Sequence, residues 1–179
     1  MQVVLAAIAK MCDRTVTSEW GNDLTALLVD DTLTSDTRRF SVSVCLPDGT
    51  CIMASPLAAR KEEHPERDFG LYMDAAWAPT WDADLIDWPD FGLPADEATA
   101  AGQIVSAFER AKNGERLEIG CIGGLGRTGT VLACMAILAG IPSEDAVEWV
   151  RAAYAPHAVE TPEQEQWVLW FGQFIQAPT

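Results

Sequence analysis

The clearest chemical signal in this chain of 179 residues is a cysteine followed, after five intervening residues, by an arginine. Cys121 ends a short apolar stretch, and a glycine-rich turn joins it to Arg127, just before a predicted apolar helix. A strand, a glycine turn and a helix in this order direct successive backbone N–H groups and the positive end of the helix dipole at one point. The sequence therefore predicts an anion site with a thiol at its mouth.

Each part of this segment suits the binding of a phosphoryl group. Glycine at three of the five intervening positions lets the backbone close around a small oxyanion without Cβ clashes. The planar fork of Arg127 can bind two phosphate oxygens, and an anion site stabilises the thiolate of Cys121. The predicted chemistry is nucleophilic attack on phosphorus by Cys121. The predicted substrate-binding residues are Ile122, Gly123, Gly124, Leu125 and Gly126.

Two motifs resemble those of one enzyme superfamily. The Cys-x5-Arg-Thr segment that begins at Cys121 is similar to the phosphate-binding loop of the cysteine-dependent protein tyrosine phosphatases. The Trp-Pro-Asp segment that ends at Asp90 is similar to their mobile WPD loop. The separation of 31 residues between Asp90 and Cys121 is similar to that of the compact dual-specificity branch. The resemblance covers residues 84–171, and its strength comes from the two motifs occurring together in the right order.

The resemblance implies a role for each functional residue of the two motifs. Cys121 is the expected nucleophile, Arg127 the phosphate ligand, and Thr128 the hydroxyl that assists departure of the thiolate from the phosphoenzyme. Asp90 is the expected general acid, which protonates the leaving oxygen and then activates water, an effect of about 10²–10⁴ in rate. Gln164 is a candidate to position that water, although its place in a predicted capping box would by itself explain it.

One position departs from the resemblance. Members of the superfamily usually carry a histidine directly before the cysteine, and this chain has Gly120. That histidine orients the loop and helps to hold the thiolate, so its absence predicts reduced or shifted activity rather than none. The departure also leaves open a second function, a phospho-ligand binding module of weak or no activity. Binding alone, however, needs neither Cys121 nor Asp90.

Three other kinds of function fit the sequence less well. A redox or arsenate-reducing protein needs a resolving cysteine, and only Cys45 or Cys51 could approach Cys121 in space. The glycines after Cys121 also match a dinucleotide fingerprint, but helix follows where a Rossmann unit needs a second parallel strand. The histidines, His64 and His157, lack the spacing of metal ligands, so the sequence predicts neither a metal nor another cofactor.

The composition limits the partners and the compartment. A net charge of −15 argues against a general affinity for nucleic acid or an anionic membrane. The predicted partner is a phosphorylated protein, through phosphotyrosine, or a small phosphomonoester. The phosphate loop has no lysine, unlike inositide-specific relatives. Five cysteines without paired spacing predict a reduced, cytoplasmic protein, in which Cys45 and Cys51 are free thiols rather than a disulfide.

The order of elements predicts an α/β fold with a mixed, largely parallel central sheet flanked by helices. A single phosphatase-like domain is expected over 1–179, with a core over 38–176 and an N-terminal extension over 1–37 that carries no chemical signal. A charged loop at 55–69 places Arg60 and Lys61 either at the rim of the site or in solvent. The predicted strands are 24–29, 40–46, 51–54, 70–73, 85–88 and 116–121. The predicted helices are 3–11, one from Asp96 or Thr99 to Asn113, 128–139, one capped by Ser143, and one capped by Thr161.

Overall fold

The structure of the protein is a computed structural model that describes residues 41–59 and 67–177. The predicted extension over 1–37, with its helix at 3–11 and its strand at 24–29, lies outside these ranges. The same holds for three residues considered above, which are Arg60, Lys61 and His64.

The described residues contain one mixed sheet. Its strands are β1, Val42–Cys45; β2, Cys51–Pro56; β3, Phe69–Tyr72; β4, Ala83–Leu85; and β5, Leu117–Cys121. They are arranged in the order β1-β2-β5-β3-β4. β1 and β2 form an antiparallel hairpin, and the other neighbouring strands are parallel. The predicted α/β fold with a largely parallel sheet is therefore confirmed.

Four helices and one short turn accompany the sheet in the described residues. The helices are α1, Glu97–Lys112; α2, Gly126–Leu138; α3, Ala146–Ala153; and α4, Pro162–Phe174, and a 3₁₀ turn covers Leu57–Ala59. None of these described helices combines the length and the apolar character that crossing a bilayer requires.

The helix caps follow the prediction at two of three helices. The side chain of Asp96 accepts the Thr99 backbone N–H at 3.0 Å and caps α1. Thr161 caps α4 in the same way. The cap predicted at Ser143 is wrong. The N–H of Asp145 bonds the carbonyl of Pro142 at 3.0 Å, which closes a turn and delays the start of α3 to Ala146.

The strand β5 and the helix α2 lie at the centre of the domain. All of β5 is buried because the strand lies between β2 and β3. Every residue of α2 from Gly126 to Ile137 is also buried, as its all-round apolar sequence predicts. Since β5 runs parallel to β2, β3 and β4, the carboxyl ends of these strands meet at one edge of the sheet. The loop that follows Cys121 lies at that edge.

The spacing of Trp167, Trp170, Phe171 and Phe174 predicts one packing face along α4, and half of that face lies in the core. Trp167 and Phe171 are buried in α4. Trp170 is only half-buried, and Phe174 is 39% exposed. These two rings stack on each other with centroids 4.9 Å apart, so part of the expected core contact is replaced by a pair at the surface.

Cys45 and Cys51 form a disulfide, and the expectation of free thiols there is wrong. The turn between β1 and β2 sets a register in which these two residues are direct partners across the ladder. The free cysteines among the described residues are Cys121 and Cys134. Cys51 begins β2, whereas Cys121 pairs with Pro56 at its other end, so the bonded pair does not approach Cys121. Within residues 41–59 and 67–177 the redox alternative therefore loses the two resolving cysteines considered for it.

Candidate active site

Cys121 ends β5 with its side chain buried and its sulfur held by two donors. The backbone N–H of Gly124 and the hydroxyl of Thr128 both donate to Sγ, each at 3.2 Å. Gly124 belongs to the loop, and Thr128 to the first turn of α2. Both donors therefore point at the sulfur atom, which lies at the N-terminal end of α2, the positive end of the helix dipole.

The loop backbone depends on glycine at one position. Gly124 has φ +70°, a left-handed conformation, and a Cβ there would lie 2.9 Å from the Pro56 Cβ. A Cβ on Gly126 would overlap only the carboxylate of Glu160, the end of an exposed side chain that can move away. The hydroxyl of Tyr154 donates a hydrogen bond to the Gly124 carbonyl. The loop is therefore enclosed by β2 on one side and by residues near α3 and α4 on the other.

Arg127 is buried, with 4% of its surface exposed, and connects three parts of the site. Its Nη1 donates to the backbone carbonyls of Met73, at 2.9 Å, and of Trp88, at 2.8 Å. Its Nη2 donates to Oδ1 of Asp90 at 2.9 Å. The guanidinium thus fixes the loop relative to the end of β3 and to the Trp-Pro-Asp segment, which β4 delivers.

Asp90 lies beside Arg127 with 60% of its side chain exposed. The segment around it is anchored by Trp88, which is buried and donates from Nε1 to the Gly92 carbonyl at 2.7 Å. Phe91, between them, has φ +57° and is 61% exposed. Asp82, Asp84 and Asp87 are other acids close to the Trp-Pro-Asp segment, and Asp82 pairs with Arg110 at 3.0 Å on the surface.

Gln164 is fully buried and contacts both halves of the site. Its Nε2 lies 3.4 Å from the Gly92 carbonyl, and its Oε1 accepts the Glu160 N–H at 2.9 Å. The capping box is thus shifted by one residue, because the side chain accepts from Glu160 rather than from Thr161. The same Oε1 lies 3.2 Å from a Cβ built on Gly126. The arrangement brings Gln164 close to the loop that follows Cys121, while its action on water stays a prediction.

The packing of the sheet leaves no room for a side chain at position 120, where the phosphatase superfamily usually carries a histidine. Gly120 pairs with Ser55 in the ladder between β2 and β5. A Cβ at Gly120 would overlap the Ser55 carbonyl oxygen and lie 3.2 Å from Cδ2 of Leu57. Backbone, rather than a flexible side chain, thus occupies the space that a histidine would need. The side chain of Leu57 lies next to the space that a side chain at position 120 would occupy, so Gly120 and Leu57 fit each other.

We therefore expect Gly120→Ala to lower the free energy of unfolding by about 1–3 kcal/mol, as overpacked sites do. We expect Gly120→His to lower it at least as much, and not to raise the rate. Denaturant unfolding of each variant measures this effect. Gly102→Ala in α1 is the matched control, since a Cβ there meets nothing within 4 Å. A Gly120→Ala variant as stable as the parent would contradict the packing argument.

Two relatives place the chain in a family. No model of a known protein family matches the chain. It is 36% identical over 112 residues to the uncharacterized protein MJECL20 of Methanocaldococcus jannaschii, over 55% of this chain and 72% of that protein. The chain belongs to the same family as MJECL20. A second member, MJ0215 of the same organism, is 36% identical over 110 residues, which are 55% of this chain and 67% of that protein.

Solved structures of phosphatases share the fold. Kinase associated phosphatase, with its catalytic-site cysteine replaced by serine, is 17% identical, over 80% of this chain and 99% of that one, with a TM-score of 0.62. A variant of human DUSP28 is 15% identical, over 76% and 98%, with a TM-score of 0.59. Tk-PTP in its active form is 23% identical, over 69% and 90%, with a TM-score of 0.54. The resemblance to the cysteine-dependent phosphatases is thereby confirmed for the fold.

Proposed function

We propose that the chain hydrolyses phosphomonoesters through a phosphocysteine intermediate. The observation that carries the proposal is the convergence of three groups at one edge of the sheet. The Cys121 sulfur accepts two hydrogen bonds at 3.2 Å, and Arg127 at the end of the same loop holds the Asp90 carboxylate at 2.9 Å. A module that only binds phosphate needs the arginine and the loop amides, but has no use for a thiol and an adjacent acid.

In the first step the Cys121 thiolate attacks phosphorus. The S–P bond forms, the bond from phosphorus to the ester oxygen breaks, and protonated Asp90 gives its proton to that oxygen. The guanidinium of Arg127 and the loop N–H groups other than that of Gly124, which donates to Sγ, bind the three other oxygens of the phosphoryl group. An arriving phosphoryl group competes with the Asp90 carboxylate for Arg127 Nη2. The displaced carboxylate can then take up a proton from water and donate it to the leaving oxygen.

In the second step water cleaves the phosphoenzyme. Asp90, now a carboxylate, takes a proton from water as its oxygen attacks phosphorus, and the S–P bond breaks. The hydroxyl of Thr128, which donates to Sγ at 3.2 Å, stabilises the departing thiolate. Gln164 is proposed to orient the water, because its amide lies beside the Gly92 carbonyl, two residues after the base.

The substrate that we propose is phosphotyrosine in a protein, or a small aryl phosphomonoester. Phe91 follows the proposed acid and is 61% exposed, and Ile122 follows the nucleophile and is 49% exposed. Apolar surface directly next to both reacting groups favours an aromatic leaving group. The loop residues 122–126 contain no basic side chain, which disfavours a polyanionic substrate with several phosphates.

Hydrolysis of para-nitrophenyl phosphate by the full chain in EDTA tests this function. We expect turnover that needs no added metal and that vanadate inhibits competitively, because vanadate resembles the transferring phosphoryl group. An absence of turnover in a protein that still binds vanadate or a phosphotyrosine peptide would replace the enzyme by the binding module. An absence of both would reject a phosphate site altogether.

A further inference from the structure

Tyr154 lies directly after α3 and contacts the phosphate loop from outside. Its hydroxyl donates to the carbonyl oxygen of Gly124, which is 30 residues away in sequence. The N–H of the same glycine donates to the sulfur of Cys121 at 3.2 Å. The two polar groups of Gly124 are therefore both occupied, one by the nucleophile and the other by the tyrosine.

The orientation of one peptide group follows from this contact. The Gly124 carbonyl and the Leu125 N–H belong to the same peptide unit, which is trans, so they point in opposite directions. Because the carbonyl points to Tyr154, the Leu125 N–H points away from it. We propose that Tyr154 is a positioning residue, whose hydroxyl holds this peptide so that the Leu125 N–H is offered to the phosphoryl oxygens. The proposal rests on the proposed phosphatase function.

The loop has both the freedom and the space to turn without this hydrogen bond. Two consecutive glycines, Gly123 and Gly124, restrict the backbone little, and a Cβ on Gly123 would meet nothing within 4 Å. A cavity of about 20 Å³ borders the loop between Pro56 and Tyr154, which is room for about one water molecule. A rotated peptide would present a carbonyl oxygen to an oxyanion in place of a donor, and that exchange would weaken binding.

The environment of the tyrosine keeps its hydroxyl a donor. Burial, and then the charge of the Cys121 thiolate, raise the pKa of Tyr154 above its ordinary value. A raised pKa keeps the phenol protonated, and therefore able to donate a hydrogen bond, up to a higher pH. The hydrogen bond to the Gly124 carbonyl therefore persists over the pH range in which a thiolate nucleophile works.

The chain has two tyrosines, and the second provides a matched control. Tyr72 is also buried, and its hydroxyl donates to the Glu118 carboxylate at 2.6 Å within the sheet. We expect Tyr154→Phe to raise the dissociation constant of vanadate and to lower kcat/KM for para-nitrophenyl phosphate, each by about ten-fold, the usual effect of one such hydrogen bond. Tyr72→Phe is expected to leave both values within about two-fold of the parent, although it removes the hydrogen bond to Glu118 and a second one, which the Tyr72 hydroxyl accepts from Trp81 Nε1 at 3.0 Å.

A spectroscopic measurement tests the proposal without relying on the folding of Tyr154→Phe. Protein made with 3-fluorotyrosine should give two ¹⁹F resonances, which Tyr72→Phe assigns. Vanadate is expected to shift the resonance of Tyr154 and not that of Tyr72. Equal vanadate affinities for the two phenylalanine variants, or an unmoved Tyr154 resonance, would overturn the proposal while the parent still turns over. A parent that neither turns over nor binds vanadate would overturn the proposed function and this proposal together.

Discussion

Replacing Cys121 by serine is expected to reduce hydrolysis of para-nitrophenyl phosphate by about 10⁴-fold or more, the scale seen when an enzyme loses its nucleophile. A serine hydroxyl can accept the same hydrogen bonds from Gly124 and Thr128, so the loop should keep its shape. It is, however, far less acidic than a thiol and is not an effective nucleophile on phosphorus without a general base. Vanadate affinity should therefore stay close to that of the parent while turnover is lost.

Two measurements separate this outcome from a general loss of structure. Acid-quenched parent protein should carry a phosphoryl group on the peptide that contains Cys121, detected by mass spectrometry, and Cys121→Ser should carry none. Cys134→Ala is the control, because Cys134 is a buried free cysteine in α2 and burial raises the pKa of its thiol well above the ordinary value. That variant should retain turnover. Parent-like turnover by Cys121→Ser would refute the phosphocysteine intermediate.

The parts of this protein that local signals determine could be predicted from sequence. The alternation before Cys45, the turn after it and the return strand predict the hairpin of β1 and β2, which the structure contains. The glycine turn between an apolar strand and an apolar helix predicts the geometry around Cys121. The two motifs predict that Arg127 and Asp90 belong to one site, and the structure places Nη2 of Arg127 2.9 Å from Oδ1 of Asp90. In each case the information lies within a few residues of the feature, or in a motif.

The features that could not be predicted from the sequence depend on contacts between residues that are far apart in the chain. Position 120 requires glycine because the carbonyl of Ser55, on a neighbouring strand, occupies the space of a Cβ. The residues next to Gly120 in sequence do not indicate this requirement. The anchors of Arg127 are backbone carbonyls of Met73 and Trp88, and a backbone atom has no signature in sequence. The helical spacing of Val147, Val150 and Tyr154 predicts only that Tyr154 lies on one face of α3. Its contact with the loop after Cys121 depends on how α3 and that loop pack together.

The disulfide shows the opposite error, in which a general rule outweighed a local one. Unpaired spacing and an odd number of cysteines favoured free thiols. The Pro-Asp-Gly-Thr turn at 47–50 lies between Cys45 and Cys51, and this local geometry determines the outcome. The hairpin places the two residues in direct register, where they form the disulfide. Register within a hairpin is thus stronger information about a cysteine pair than the number of cysteines in the chain.

Replacing Asp90 by asparagine is expected to produce two effects of opposite direction. Loss of the general acid should slow hydrolysis of phenyl phosphate by about 10²–10⁴-fold. The loss should be smaller for para-nitrophenyl phosphate, because its leaving group is less basic and needs a proton less. Vanadate should bind more tightly than to the parent, because the substitution removes the carboxylate that pairs with Arg127 at 2.9 Å and competes for its Nη2. General damage to the site would instead slow hydrolysis and weaken vanadate binding together.

Asp87→Asn is the control for this prediction, since Asp87 is an exposed acid three residues before Asp90 in the same segment. Initial rates with the two aryl phosphates, together with vanadate titrations, are measured for the parent and both variants. We expect Asp87→Asn to match the parent in all three values. An equal loss of rate on both substrates in Asp90→Asn would show that Asp90 does not protonate the leaving group, even if the rate falls. The dependence on the leaving group therefore tests the chemical role of Asp90, because a carboxylate that only supports Arg127 would affect both substrates alike.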